Sequence, residues 1–423
     1  MNHFEPRAGE LYCEGVSLAA IAQVVGTPVY VYSSATLERH YRVFQDALRA
    51  HPVLGDPMIA YAVKANSNLS ILRTLGALGA GADTVSEGEI RRALAAGIPA
   101  DRIVFSGVGK TADELTFALK AGVHQINVES EPELDLVRSL AARLGVRPAL
   151  ALRVNPDVGA GAHAKISTGT SASKFGVSLD EAARLYALAA ADPAVRMVGL
   201  ACHIGSQITN LGPLAAAFGL LRALVERLRA DGQFVDRLDL GGGLGVPYFN
   251  QPDPPTPAVF AAMVAETVGD LNVALAFEPG RVLVANAGVL VAKVLHVNER
   301  PDGRRFLVLD AAMNDLLRPA MYDAWHAILP VAPREGPDML CDVVGPICET
   351  GDTFARDRPL PPLEAGDLVA FLSAGAYGAA MSSEYNSRPL IPEVLVKGDA
   401  YAVIRPRPTY DEMLAREPLA SWL

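Results

Sequence analysis

MIAYAVKANSNLSILRTLGALGAGADTVSEGEIRRALAAGIPADRIVFSG (Met58–Gly107) holds three short apolar segments, Met58–Val63, Ala82–Val85 and Ile103–Ser106. Stretches with helical spacing separate them. A run of four to six apolar residues bounded by turn residues reads as a buried strand. GEIRRALAAG has the i, i+3, i+4 repeat of an amphipathic helix closed by Gly97. Working outward, the same unit recurs. Strands are expected at Gln125–Val128, Ala149–Val154, Met197–His203, Arg237–Leu240 and Val273–Phe277. TADELTFALKAG and EPELDLVRSLAARLG supply helices that stop at Gly122 and Gly145, where a left-handed C-cap favours glycine. Eight strand–helix units over about 220 residues are what a closed parallel barrel requires. An open doubly wound sheet has the same alternation, and strand counting does not separate the two.

Beyond Ala285 the texture changes. GVLVAKVLHVNE, RFLVLDAA, LCDVVGPI, DLVAFLSAGAYG and EVLVKGDAYAVI read as strands punctuated by Gly, Pro and Asp. The reading is an α/β barrel over residues 34–284 and a mostly β domain over 285–423. Residues 1–33, with TPVYVYS near their end, are expected to pair with the β domain. QPDPPTP (Gln251–Pro257) reads as a stiff surface loop.

The composition narrows the function classes. In 423 residues, 37 basic against 47 acidic side chains give a net charge of −10, which argues against nucleic acid or anionic membrane as partner. No run of eighteen uncharged apolar residues occurs, and MNHFEPRAGELYCEG carries acids where a signal peptide needs a basic region. The four cysteines, Cys13, Cys202, Cys341 and Cys348, form no CxxC pair, so neither a disulfide scaffold nor a metal site is implied. A soluble cytoplasmic protein with reduced thiols is expected.

The ends of the expected strands carry the chemistry, because catalytic groups of α/β barrels gather at the strand C-termini. YAVKAN places Lys64 there, ADTVSEGE places Asp83 and Ser86, ACHIGSQ places His203 and Ser206, and DLGGGLG and FEPGR end the last two strands. Burying an ammonium is costly, so Lys64 reads as an amine nucleophile with its pKa lowered by burial. Gly241–Gly245 offer backbone N–H groups for a phosphate at a helix N-terminus, and a tight strand-to-loop turn would use the same glycines. GGGLG does not fit the dinucleotide pattern GxGxxG of an early βαβ unit. Lys64, a phosphate cradle, the Glu278 carboxylate and the flat His203 ring together suit pyridoxal 5′-phosphate. Taken alone, Lys64 also fits a lysine paired with a carboxylate at a barrel rim, and His203 a satisfied core histidine. Arg318 also fits a surface ion pair and Cys348 a buried structural thiol, while Cys202 reads as packing.

YAVKAN, HIGSQ, GGGLG and EPGR, in this order and spacing, resemble the fold-type III pyridoxal phosphate-dependent decarboxylases. That family's fold is an alanine racemase-like (β/α)8 TIM-like barrel with a C-terminal β-sandwich or barrel domain. HAKISTGTSASKFG (His163–Gly176), MNDLLRPAMYDAW (Met313–Trp325), GPICETGD (Gly345–Asp352) and GAYG (Gly375–Gly378) are most similar to its meso-diaminopimelate-decarboxylating branch. The likeness runs from about Thr27 to Pro406 and implies release of CO₂ and L-lysine, the last step of bacterial lysine synthesis.

By that resemblance Lys64 forms the Schiff base with the cofactor, His203 stacks on its ring and Glu278 contacts its nitrogen. Asp83, Ser206, Gly241, Gly242, Gly243, Glu278, Pro279, Gly280, Arg281 and Tyr377 complete the cofactor set. Arg281, Arg318, Tyr322, Glu349 and Tyr377 bind substrate. Cys348 is the proton donor, supplied across a homodimer with shared active sites. Two departures from the family pattern stand out: SEGE around Glu87, and Thr350 where serine is common. The alternatives are a sister decarboxylase (ornithine, arginine, carboxynorspermidine or a carrier-tethered amino acid), an amino-acid racemase on the same barrel, and a cofactor-binding regulator.

Overall fold

The computed structural model describes residues 3–161, 164–166, 168–248, 250 and 253–423. Its contacts divide the chain into two compact units, residues 38–247 with 252–283, and residues 1–37 with 248–251 and 284–423.

In the first unit eight strands form a closed parallel barrel: β1 (Met58–Ala62), β2 (Gly81–Thr84), β3 (Ile103–Phe105), β4 (Gln125–Val128), β5 (Ala149–Asn155), β6 (Arg196–Ala201), β7 (Arg237–Asp239) and β8 (Ala274–Phe277). Each pairs in parallel with the next, and β8 returns to β1 through Ala276↔Met58 and Phe277↔Ile59. That closure removes the open-sheet alternative. The strands are short because both faces are buried, so a few Val, Ile, Leu and Ala residues suffice for each. The helices between them begin where the side chains dictate. Ser86, Ser130 and Thr256 cap helix N-termini, and Thr111–Glu114 and Ser178–Glu181 form reciprocal capping boxes. Gly122 and Gly145 close their helices in the left-handed conformation.

The barrel interior is not wholly apolar. Gln125 Nε2 donates to Asn127 Oδ1 (2.8 Å), and Asn127 Nδ2 donates to Asp239 Oδ2 (2.8 Å) and Ser106 Oγ (3.1 Å). All four side chains are buried. A buried amide chain of this kind is tolerated only when its members satisfy one another, and it fixes the ends of β3, β4 and β7 relative to each other.

The second unit is mostly β. Its sheet runs in the order Thr353–Leu360, Met339–Val344, Arg305–Leu309, Gly288–Glu299, Val29–Ser33, Glu393–Lys397, Ala400–Arg405. Val29–Ser33, from TPVYVYS, lies inside this sheet, antiparallel to Gly288–Glu299 and parallel to Glu393–Lys397. The pattern Val29, Val31 against Val289, Val291 and Val394, Val396 buries one face together with Leu18 and Ile21. Residues before it add a three-stranded sheet (Phe4–Arg7, Glu10–Cys13, Val16–Ser17) and the helix Leu18–Val25, which the sequence pattern left unassigned. In QPDPPTP, Gln251 and Pro252 lie outside the described residues, and Pro257 opens the helix Pro257–Val268. Among the described residues no helix is long and apolar enough to cross a membrane.

Candidate active site

In the barrel unit the expected residues meet at the C-terminal ends of the strands. Lys64 stands in a single 3₁₀ turn, Val63–Ala65, that follows β1. Its Nζ donates to Asp83 Oδ2 at 2.7 Å, and Asp83 is fully buried at the end of β2. The side chain of Lys64 is 36% exposed, so the expectation of an amine desolvated inside a strand is corrected. The chain bends out of β1 one residue before Lys64, and a carboxylate rather than apolar surroundings receives the ammonium. Asp83 Oδ1 has no hydrogen-bond partner among the described residues. A buried carboxylate oxygen left unpaired beside an amine marks a place where a polar group belongs.

Glu278 follows β8 and accepts from Ser106 Oγ at 3.4 Å. Burial, then the neighbouring charges of Asp239 and Asp83, hold its carboxyl well above the usual range, so Glu278 is the member of the group that keeps a proton. Asp239 stays the acceptor, taking Asn127 Nδ2 and, at 3.0 Å, the backbone N–H of Gly241.

His203 lies just past β6. Gly242 N–H donates to its Nδ1 at 3.2 Å, so Nδ1 carries no proton. Desolvation, and the positive charges of Lys64 and Arg153, hold the imidazole neutral, far below its ordinary pKa. The three glycines are required by close approach. A Cβ on Gly241 would stand 2.5 Å from Cys202 O, one on Gly242 would overlap Glu278 O, and one on Gly243 would stand 2.6 Å from Gly205 O. Gly241 and Gly243 also have positive φ, 63° and 116°.

The expectation of a helix N-terminus at GGGLG is corrected. Pro247 follows closely, and among the described residues the next helix begins at Pro257. The N–H groups of Gly241 and Gly242 are already spent on Asp239 and His203, whereas Gly243 N–H and Gly280 N–H donate to no described residue. Ser206 Oγ, which accepts from Arg281 Nη2 at 3.2 Å, belongs to the same barrel unit. An amine, a retained carboxylic proton, a neutral flat ring and unspent backbone donors with a serine and an arginine fit a phosphorylated pyridine aldehyde.

Several supporting residues escaped the sequence reading. Thr168 Oγ1 donates to His203 O (2.8 Å), and Thr168 and Gly169 N–H both donate to Ile204 O, so the TGTSASKFG segment (Thr168–Gly176) braces the turn that carries His203 and Ser206. Asn155 Nδ2 ties that segment down through Thr170 O (2.9 Å) and Phe175 O (3.0 Å). His163 and Ser167 of the same motif lie outside the described residues. Glu87 faces outward onto Arg91, while Glu89 turns back to accept from Val85 N–H at 2.8 Å.

Glu89 is pushed up to about 7, first by burial and then by Asp83. A raised carboxyl contributes stability that is present below its unfolded pKa of about 4.5 and lost as the pH rises through the folded value. Glu89→Gln is therefore expected to gain on the wild type by on the order of 2 kcal/mol between about pH 4.5 and pH 8. Parallel thermal melts at the two pH values check the sign; an unchanged difference would show that Glu89 is ionised throughout.

The remaining expected residues belong to the β unit. Arg318 opens the short helix Arg318–Tyr322 and is buried, which excludes a surface ion pair. Its Nη1 meets His326 Nε2 at 2.8 Å, and its guanidinium lies 4.7 Å over the Tyr248 ring. His326 Nδ1 lies 2.8 Å from Leu372 O and donates to it, so Nε2 is left to accept from Arg318. Tyr322 ends the helix half-buried. Tyr377 sits in GAYG with φ 55°. Cys348 is exposed, whereas Cys13, Cys202 and Cys341 are buried. Its N–H donates to Asn386 Oδ1 at 3.4 Å, and Glu349 Oε2 accepts from Tyr385 Oη at 2.9 Å.

Residues 34–285 match the family described as pyridoxal-dependent decarboxylase, pyridoxal binding domain. The chain is 50% identical over 420 residues to a diaminopimelate decarboxylase of Pseudomonas fluorescens, covering 99% of both proteins. It superposes on the diaminopimelate decarboxylase of M. jannaschii in co-complex with L-lysine with a TM-score of 0.95, at 35% identity and with 100% of both chains covered. A lysine/ornithine decarboxylase of Vibrio vulnificus complexed with cadaverine is also similar, with a TM-score of 0.79 at 26% identity over 90% of this chain and 97% of that one.

Proposed function

The chain belongs to the pyridoxal-dependent decarboxylase family, and we propose that it removes CO₂ from meso-2,6-diaminopimelate to give L-lysine. The observation that carries the substrate is likeness over whole length: 50% identity to a diaminopimelate decarboxylase across 99% of both chains. Such coverage includes the β unit, where Arg318, Tyr322, Glu349 and Tyr377 lie, and not only the cofactor barrel.

Pyridoxal 5′-phosphate, when bound, supplies an electron sink for the bond to the departing carboxylate. In this reading Lys64 is the amine that holds it, paired at rest with Asp83. Ser206, Gly243, Gly280 and Arg281 would hold its phosphate, with Gly241, Gly242 and Pro279 shaping the loops around them. His203, kept neutral, offers a flat face that brings no competing charge. Glu278 keeps a carboxylic proton for the ring nitrogen, because burial and Asp239 disfavour its ionised form. Arg281 and Arg318 read charged groups of the substrate, where a guanidinium fork matches a carboxylate. The fixed His326–Arg318 contact places that fork before substrate arrives, which saves ordering entropy. Cys348 then gives its proton to the substrate carbon that has lost CO₂. The same reading makes the enzyme a cytoplasmic homodimer in which Cys348 serves the site of the partner subunit.

The test is to incubate purified, cofactor-loaded protein with meso-diaminopimelate and measure CO₂ and L-lysine together. Equal yields of both are expected. CO₂ from ornithine, arginine or lysine with none from diaminopimelate would replace the substrate and keep the family.

A further inference from the structure

The strands Met339–Val344 and Thr353–Leu360 pair antiparallel, and GPICETGD (Gly345–Asp352) is the loop between them. We propose that Asp352, with Asn386, is a positioning residue for Cys348: the two side chains hold the adjacent amides of Ile347 and Cys348 and so set where the thiol points. The inference rests on the reading of Cys348 as proton donor.

Asp352 is 3% exposed. Its Oδ1 accepts from Met313 N–H (2.6 Å) and its Oδ2 from Ile347 N–H (2.7 Å). Its own backbone closes the loop, with Gly345 N–H donating to Asp352 O (3.1 Å) and Asp352 N–H to Glu349 O (3.1 Å). One residue thus ties the position before Cys348 both to the base of the hairpin and to the segment that leads into Arg318. The space over Gly345 is already filled, since a Cβ there would overlap both carboxylate oxygens of Asp352. Asp352 forms no ion pair among the described residues; burial pushes its carboxyl up, and the two backbone N–H groups, with the more distant charge of Arg388, offset that cost only in part. A turn that merely had to reverse direction would use a neutral cap at lower cost.

The second grip comes from Ser383–Ser387. Asn386, at φ 54° in the left-handed region that asparagine tolerates, accepts the Cys348 N–H, and Tyr385 holds the Glu349 carboxylate. Asn314 secures this segment by a reciprocal pair, its Nδ2 to Ser383 O (2.8 Å) and Ser383 N–H to its own carbonyl (3.0 Å). Ile347 and Cys348 are therefore held through their amides while the thiol stays exposed. Its direction is set by the backbone rather than by packing around sulfur.

Asp352→Asn keeps the side-chain shape but turns an NH₂ toward one of the two N–H donors. It is expected to fold, and to lower kcat by about 100-fold while KM and cofactor affinity stay within about threefold. Iodoacetamide supplies a readout that needs neither substrate nor cofactor, because Cys348 is the only exposed thiol among the four. Its alkylation is expected to quicken by at least about threefold in Asp352→Asn and in Asn386→Ala, and not to quicken in Asn386→Asp, which keeps the acceptor oxygen and adds a charge that disfavours the thiolate. Unchanged alkylation and kcat in Asp352→Asn would overturn the proposal, as would kcat, KM and cofactor content failing together. Wild-type protein inert toward diaminopimelate would sink the proposed substrate instead, and the alkylation rates would still decide the grip.

Discussion

Lys64→Arg protein is expected to fold, to keep a cation beside Asp83, and to lose decarboxylation by at least about 10⁴-fold. The choice of arginine matters. Asp83 is fully buried and its Oδ1 has no partner among the described residues, so Lys64→Ala would remove the one described cation that compensates a buried carboxylate and mix a stability loss into the result. A guanidinium retains the charge yet stays protonated and cannot act as a nucleophilic amine. If Lys64 were a rim lysine that only pairs with Asp83, arginine would preserve most activity. Borohydride reduction followed by peptide mapping gives a second readout: the cofactor should be recovered on the Lys64 peptide of the wild type and on no peptide of the variant. Activity within tenfold of wild type, or cofactor trapped on another lysine, would remove Lys64 from its assigned role.

How far the site was legible follows from where its partners lie in the chain. The eight barrel strands could be read because each is a local apolar run with its own helix and glycine stop. Lys64, His203, Glu278 and Arg281 stand at the ends of such runs and are legible as candidates for that reason. What holds them was not. Asn127 bonds Asp239 across 112 positions, and Cys348 bonds Asn386 across 38. Neither pairing leaves a periodic trace, and Asn, Asp and Ser near a turn are ordinarily read as turn formers. Two expectations failed for a related reason. The Lys64 environment was inferred from its apolar neighbours in sequence, whereas Asp83, 19 residues away, decides it. The glycines of GGGLG were assigned to a helix start, whereas their service is to let the Cys202, Gly205 and Glu278 carbonyls and the His203 side chain come within contact of their own backbone. Apolar periodicity gives the barrel; polar closure at its mouth is a tertiary property.

Cys348→Ala should reduce kcat by about 10²–10⁴-fold, the range a positioned general acid supplies, with KM within about threefold of wild type. The thiol is exposed, and its loop is held by Asp352 and Asn386 rather than by packing around sulfur, so truncating the side chain leaves no cavity and should not alter stability. A buried structural cysteine would give the opposite pattern: lower melting temperature and little kinetic change. The same variant tests the shared site. Lys64→Arg and Cys348→Ala proteins are each expected to keep at most about 1% of wild-type activity, but if Cys348 serves the partner subunit, equal mixing places one intact site in each mixed dimer. Random exchange makes half the dimers mixed, so about a quarter of the wild-type activity is expected to return. If each Cys348 instead served the Lys64 of its own chain, every site would carry one lesion in every dimer, and exchange demonstrated by mass would restore nothing. Recovery therefore separates a donor lent across an interface from one used at home, and it does so without altering any residue outside the two already assigned.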